Sequence, residues 1–239
     1  MIEAHLRRLR TRDTVDAKEE RAIRSLISET RRIDAHKTLI RQGEELQHSI
    51  LLIDGWLGRA VDMEMGTRVI TALHVPGDFA DLHGFTLKHL DHDLVALTDC
   101  IVALAPHDRL TTLTIEFPHL ARIYWFTTNV DAAIHRQWTV SLGRRNAISR
   151  MAHLFCELFL RMEVAGKADG QSYDFPLTQD QLASCLGLTQ VHVNRTLQAL
   201  RRRGLIELQN KRLTILKLSE LRGLAEFDPS YLYLDRRPE

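Results

Sequence analysis

The spacing of apolar and polar positions changes character along the chain. Residues 1–30 are largely polar, with Leu6, Leu9, Ile23, Leu26 and Ile27 as the apolar positions, which predicts helix. From 33 to 105 the pattern shortens to β-rich runs at 38–40, 49–53, 68–73 and 94–105, with glycines at 43, 55, 66 and 77 spaced 11 or 12 residues apart. Short strands separated by turn glycines predict an antiparallel barrel or roll, and a sandwich fits the same spacing. Helical periodicity resumes at Pro118 in a segment over 118–142, broken near Gly143, whose apolar positions include Leu120, Ile123, Tyr124, Val130, Ile134 and Trp138. A helix of about 25 residues spans about 37 Å, and that length invites a coiled-coil-like dimer seam with Ile123, Val130, Ile134 and Trp138 as its contacts. Thr127, Asn129 and Asp131 interrupt the pattern, so packing within the chain is the alternative. A second helix over about 145–164 carries Ile148, Met151, Leu154, Phe155, Leu158 and Phe159.

The strongest signal lies at 178–204, TQDQLASCLGLTQVHVNRTLQALRRRG. Thr178 and Gln181 have capping-box spacing, Gly187 stands where a first helix must end, and Thr189 caps a second helix that ends in three arginines. At about 100° per residue, Val193, Thr196, Leu197 and Leu200 share the inward arc of that second helix. Gln190, Val191, Asn194, Arg195, Gln198 and Arg201 share the outward arc. Gln and Asn side chains read adenine edges, and Arg reads guanine or holds a phosphate. A capped helix, a glycine turn and a second helix with polar residues leading it predict a helix-turn-helix. The bland reading is a surface helix with a solvated face. The following 205–208 and 213–216, joined by the polar 209–212, predict a two-stranded wing.

Charge sharpens this picture. The whole chain of 239 residues carries a formal net charge of +1, yet 189–212 holds six Lys/Arg against the single acid Glu207. The basic residues are concentrated where phosphates would lie. With 44% hydrophobic and 26% charged residues the composition is that of an ordinary globular protein. No stretch approaches the ~20 apolar residues of a membrane span, the first residues lack the apolar core of a secretory signal, and no membrane partner is expected. Cys100, Cys156 and Cys185 form no CxxC pair and predict buried free thiols in a cytoplasmic protein.

The order β-roll, long helix, winged helix-turn-helix, together with LTQDQLASCLGLTQVHVNRTLQALRRRGLI, resembles the Crp/Fnr family of transcription factors. The likeness covers nearly the whole chain, is most specific from 144 to 216, and in the roll rests on the glycine spacing and PGDFADLHG (76–84). It implies an α+β chain with an N-terminal roll of the cyclic-nucleotide-binding, cupin-like jelly-roll kind over 1–117, a dimerisation helix over 118–143, a winged helix-turn-helix over 144–226 and a tail over 227–239. The tail reads as irregular, with Tyr231 and Tyr233 as candidates for docking. The resemblance further implies a homodimer on palindromic double-stranded DNA, with RNA polymerase as a further partner if the protein activates. Base-reading roles carry over onto Gln190, Val191, Asn194 and Arg195, and phosphate contacts onto Thr178, Thr189, Gln198 and Lys211. Val191 departs from the glutamate of the best-known members and implies a different consensus.

The signal is a separate question. Cyclic-nucleotide-binding members hold the ligand with a Gly-Glu-Leu run and a later Arg-Ser or Arg-Thr, where this chain has Asp81-Leu82 and Leu90-Asp91. Residues 78–93 carry four aspartates and one lysine, so a phosphodiester there meets negative charge and no guanidinium. Iron–sulfur members cluster cysteines near the N-terminus, and here none precedes Cys100. Cyclic AMP and an iron–sulfur cluster are both disfavoured, and no cofactor is predicted. His83, His89 and His92, interleaved with Asp81, Asp91 and Asp93, are candidate metal ligands, against the reading that they are exposed loop residues or pH-sensitive contacts. The expectation is a regulator without catalytic activity. The alternatives are a cupin-like metal-binding protein or metalloenzyme fused to a DNA-binding module, and an architectural DNA-binding protein without a sensing role.

Overall fold

The structure is a computed structural model that describes residues 1–66 and 68–235. Helices α1 (Glu3–Arg12) and α2 (Ala17–Ser25) open the chain. The strands β1 (Glu29–Ile33), β2 (Thr38–Ile40), β3 (His48–Asp54), β4 (Leu57–Asp62) and β5 (Arg68–His74) follow, then a one-turn helix α3 (Gly84–Leu87), β6 (Asp93–Ala96) and β7 (Cys100–Pro106). They form two antiparallel sheets, ordered β1-β7-β3 and β2-β6-β4-β5, and Ile50, Leu52, Leu57, Leu90, Leu94, Val102 and Leu104 fill the space between them. The predicted roll is therefore present.

The predicted single run over 94–105 is two strands. Thr98 and Asp99 separate them, because their side chains accept the backbone N–H groups of Trp56 and Ala35, each at 2.9 Å, which makes a loop of the polar pair. The predicted N-terminal helical stretch ends by Ser25, and β1 begins at Glu29 as a strand with exposed side chains, which shows no alternation to read. A helix α4 (His107–Glu116) lies inside the stretch expected to be roll. It packs with α1 and α2 on the outer face of β3 and β7, through Leu6, Leu9, Ile23, Leu110 and Leu113. Gly77 permits the close approach of α1: its φ is +95°, and a Cβ there would stand 2.8 Å from the backbone of Ala4.

Helix α5 (Pro118–Arg144) then runs for 27 residues, and α6 (Ala147–Val164) folds back along it. Expected seam residues on α5 are corrected here. Ile123, Val130, Ile134 and Trp138 are all buried by their own chain, Ile123 in the core under α1 and the other three in the core shared with α6. The open face of α5 follows the heptad series Pro118, Trp125, Ala132 and Thr139, with Trp125 70% exposed, and is flanked by a second series of half-buried Ala121, Thr128 and His135 and exposed Leu142. A helix at 3.6 residues per turn has room for both faces, and the more apolar one was claimed by the chain itself.

The C-terminal part comprises β8 (Ala168–Asp169), β9 (Ser172–Asp174), α7 (Gln179–Leu186), α8 (Gln190–Arg202), β10 (Ile206–Gln209), β11 (Arg212–Ile215) and α9 (Leu218–Ala225). The tail is not loose where it is described. A 3-10 turn over Pro229–Leu232 buries Tyr231 and Leu232, while Tyr233 is exposed and 236–239 lie outside the described residues. The Tyr231 hydroxyl donates to Glu157 at 2.8 Å, and Trp138 Nε1 donates to the same carboxylate at 3.3 Å. Arg161 adds a bond to Glu157 at 3.2 Å and reaches across to Asp78 of the roll at 2.7 Å.

Two buried histidines make the fold acid-sensitive. Burial holds His5 and His153 at about 4, below the ordinary 6.5, although the Gly77 carbonyl pulls His5 the other way. A folded value below the unfolded one means that the unfolded chain takes up the proton first. The stability is complete above pH 6.5 and is lost as pH falls towards 4. His153 stacks on Tyr231 and meets Phe227 edge-on, so His153→Phe keeps the packing and removes the proton uptake. Between pH 7 and 4.5 the wild type should lose about 2–3 kcal/mol more than His153→Phe in urea unfolding. Equal losses would show that His153 titrates normally.

Candidate nucleic-acid interface

The α7–α8 unit is built by its caps. Thr178 Oγ1 accepts the Gln181 N–H at 3.1 Å, and Gln181 Oε1 accepts the Thr178 N–H at 2.9 Å, which satisfies two of the open donors at the start of α7. Gly187 ends that helix in the left-handed conformation at φ +58°, and the Leu188 N–H closes onto the Ala183 carbonyl at 3.0 Å. Thr189 then caps α8 through the His192 N–H at 3.2 Å. Val193, Thr196, Leu197 and Leu200 are buried beneath α8.

The outward arc is the predicted one. Gln190, Val191, Asn194, Arg195 and Gln198 are exposed, as are Thr178, Thr189 and Lys211 around them. Val191 is an apolar side chain 64% exposed in the middle of this polar face. Gln190 Nε2 donates to Asp180 at 2.9 Å, so the turn of α7 below it sets its orientation. Arg201 instead reaches back to the Leu208 carbonyl at 2.6 Å and ties α8 to the wing. Arg212 is paired with Asp174 and Asp169 at 3.2 and 3.3 Å, so two of the six basic residues serve the fold as well.

The wing is larger than the predicted pair of strands. Strands β10 and β11 continue through β9 into β8, with Ser172 and Thr214 joined by a hydroxyl bond of 2.8 Å. The two added strands are too short to show a period in the sequence. At the wing tip Asn210 and Lys211 both have positive φ, +50° and +59°, the geometry of a type I′ hairpin turn.

Comparison with known proteins agrees with this geometry. Residues 149–224 match the model of the Crp-like helix-turn-helix domain, and 30–116 match that of the cyclic nucleotide-binding domain. The transcriptional activator protein FnrL of Cereibacter sphaeroides is 30% identical over 203 residues, covering 82% of this chain and 80% of its own. The chain belongs to the Crp/Fnr family of transcriptional regulators. The transcriptional activator protein anr of Pseudomonas aeruginosa is 25% identical over 78% of this chain and 76% of its own. Among solved structures, FixK2 from Bradyrhizobium japonicum shares the fold with a TM-score of 0.69 at 19% identity, over 83% of this chain and 98% of its own. This Crp/Fnr chain is thus a DNA-binding transcriptional regulator.

In the roll of this Crp/Fnr regulator, the positions set against the ribose and phosphate are not open polar groups. Asp81 is fully buried and accepts the Ile50 N–H at 2.6 Å, and burial pushes its carboxyl up to about 7. Leu82 and Leu90 are buried, and Asp91 points outward to pair with His92 at 2.7 Å. The expected lack of a guanidinium is corrected: Arg59 of β4, 4% exposed, projects into this region between the roll and α5. It donates to Asp131 at 2.7 Å, to the Ala80 carbonyl and to His135 at 2.9 Å. Its main partner is 72 residues away in sequence, and so it gave no local signal. Burial first, and then Arg59, hold His83 at about 4. The rings of His83 and His92 stand 5.6 Å apart, His89 is exposed, and no group of three potential ligands is placed to hold a metal among the described residues.

Lys211 pays for the turn it occupies, since a left-handed φ is strained for a residue with a Cβ. Lys211→Gly should raise unfolding stability by about 0.5–1 kcal/mol in denaturant titration. A loss of stability would show that the lysine side chain contributes packing that outweighs the strain.

Proposed function

We propose that the chain acts as a homodimer on a two-fold palindrome of double-stranded DNA, with α8 of each copy in the major groove. The observation that carries this reading is the arc of α8, on which Gln190, Val191, Asn194, Arg195 and Gln198 face outward after a capped turn, with Thr178, Thr189 and Lys211 exposed around it. Gln190, Asn194 and Arg195 offer the hydrogen bonds to base edges, and Val191 suits a thymine methyl where a polar reader would take a donor. Thr178, Thr189, Gln198 and Lys211 surround them and suit phosphates. The relatives FnrL and anr are named activators, and on that likeness the regulator activates and meets RNA polymerase in the cytoplasm, without catalysis of its own.

The heptad face of α5, with Trp125, Ala132 and Leu142, supports the dimer. Neither a cyclic nucleotide nor an iron–sulfur cluster enters this reading. Asp81, Leu82 and Leu90 do not suit a phosphodiester of the family's kind. Cys100, Cys156 and Cys185 are buried on three separate elements, and burial pushes Cys156 up to about 12.

Selection of bound DNA from a random pool, followed by footprinting, tests the palindrome, whose half-sites should lie about 34–36 Å apart. Protection of a lone half-site would refute it. Arg195→Ala should cost about 1–3 kcal/mol on the selected site and relax the preference at one base pair; equal losses on random DNA would move Arg195 to the backbone. Trp125→Glu should give a monomer in analytical ultracentrifugation with the fold intact, because Trp125 is exposed in the single chain. An undiminished dimer would place the seam elsewhere.

A further inference from the structure

Strand β5 is an edge of its sheet, so one side of its backbone lacks a strand partner. Side chains of the DNA-binding part occupy that side. Ser184 of α7 accepts the Ile70 N–H at 2.8 Å and donates to the Arg68 carbonyl at 3.0 Å. A single hydroxyl thus replaces the donor and acceptor that a neighbouring strand would have offered. One turn earlier, Gln181 Nε2 donates to the Leu97 carbonyl at 3.3 Å, while its Oε1 completes the cap of α7. The same glutamine therefore shapes the start of the reading unit and anchors it to the roll.

This docking covers none of the DNA-facing residues, all of which remain exposed. It fixes their orientation and does not block them. We propose that Ser184, on the edge of β5, and Gln181, on the Leu97 carbonyl after β6, are positioning residues that clip the reading unit to the roll and set the angle at which α8 is presented. The inference rests on the dimeric reading above. A palindrome rewards orientation, because the second half-site is met at an effective concentration that falls as the tethered reader gains freedom. A single half-site gives no such reward.

Ser184→Ala removes both bonds at a half-exposed position where water can reach the freed groups, so the full-length fold persists. Two measurements decide the matter. In the DNA-free protein, hydrogen exchange at the Ile70 amide should accelerate at least about tenfold, with amides inside α8 unchanged. In binding assays, affinity for the selected palindrome should fall about tenfold, affinity for an isolated half-site should not change, and Ser184→Thr should restore both readouts. Unchanged exchange at Ile70 would overturn the docking. Equal losses on palindrome and half-site, or a gain on the palindrome, would overturn the positioning role. A wild type with no preference for the palindrome would sink the dimeric reading and the positioning role with it, while the exchange result would still decide the docking.

Discussion

Arg161 sits between the roll and α6, 6% exposed, and its guanidinium takes partners from both. It donates to Asp78 and to the Leu73 carbonyl in the roll, each at 2.7 Å, and to Glu157 on its own helix. Asp78 is in turn paired with Arg8 of α1. Burial alone would push Asp78 up, but the Arg8 and Arg161 guanidiniums hold it below the usual carboxylate range. Burial pushes Glu157 up, and it is steadied by Arg161, Tyr231 and Trp138. Removing one member of such a set leaves a charge unpaired in the interior, typically a cost of about 3–5 kcal/mol. The roll, α5, α6 and the chain end are therefore placed together or not at all.

That constraint accounts for the tail. A carboxylate with two oxygens, buried on α6, must find donors from beyond its own helix. Trp138 and Tyr231 provide them, and the turn over Pro229–Leu232 is drawn in with Tyr231. Tyr231 is marked in the sequence as a candidate for docking, but nothing there marks the carboxylate that it meets. Its partner is 74 residues away, and nothing between them repeats.

The parts of the molecule that were legible in the sequence are those whose causes are neighbours in the chain. The Thr178 cap, the Gly187 turn and the inward arc from Val193 to Leu200 each follow from residues within a few positions, and each stands where it was expected. The face of α5 was not legible for a different reason. Ile123, Val130, Ile134 and Trp138 are apolar residues at helical spacing, and periodicity shows that they are buried but not by which chain. The face of α5 left open has Ala121, Thr128 and Ala132 among its residues, small side chains that do not raise its hydrophobicity. Arg59 and Asp131 were hidden likewise, because a pair that meets across the roll and α5 has no spacing to recognise.

The hinge between α5 and α6 shows how firmly the reading unit is held. Arg150, in the first turn of α6, donates to the Ser141, Leu142 and Arg145 carbonyls at the end of α5 and to the Leu186 carbonyl at the end of α7. One side chain thus closes the open carbonyls of two helix ends at once. With Ser184 on the β5 edge, the reading unit is held on two sides by bonds to backbone groups near the surface, each with a net worth of about 1 kcal/mol for the hydroxyl and somewhat more for the charged guanidinium. Taken together these bonds are worth as much as breaking one member of the buried Arg161 set, so the reading unit is held at the surface about as firmly as the parts are joined inside.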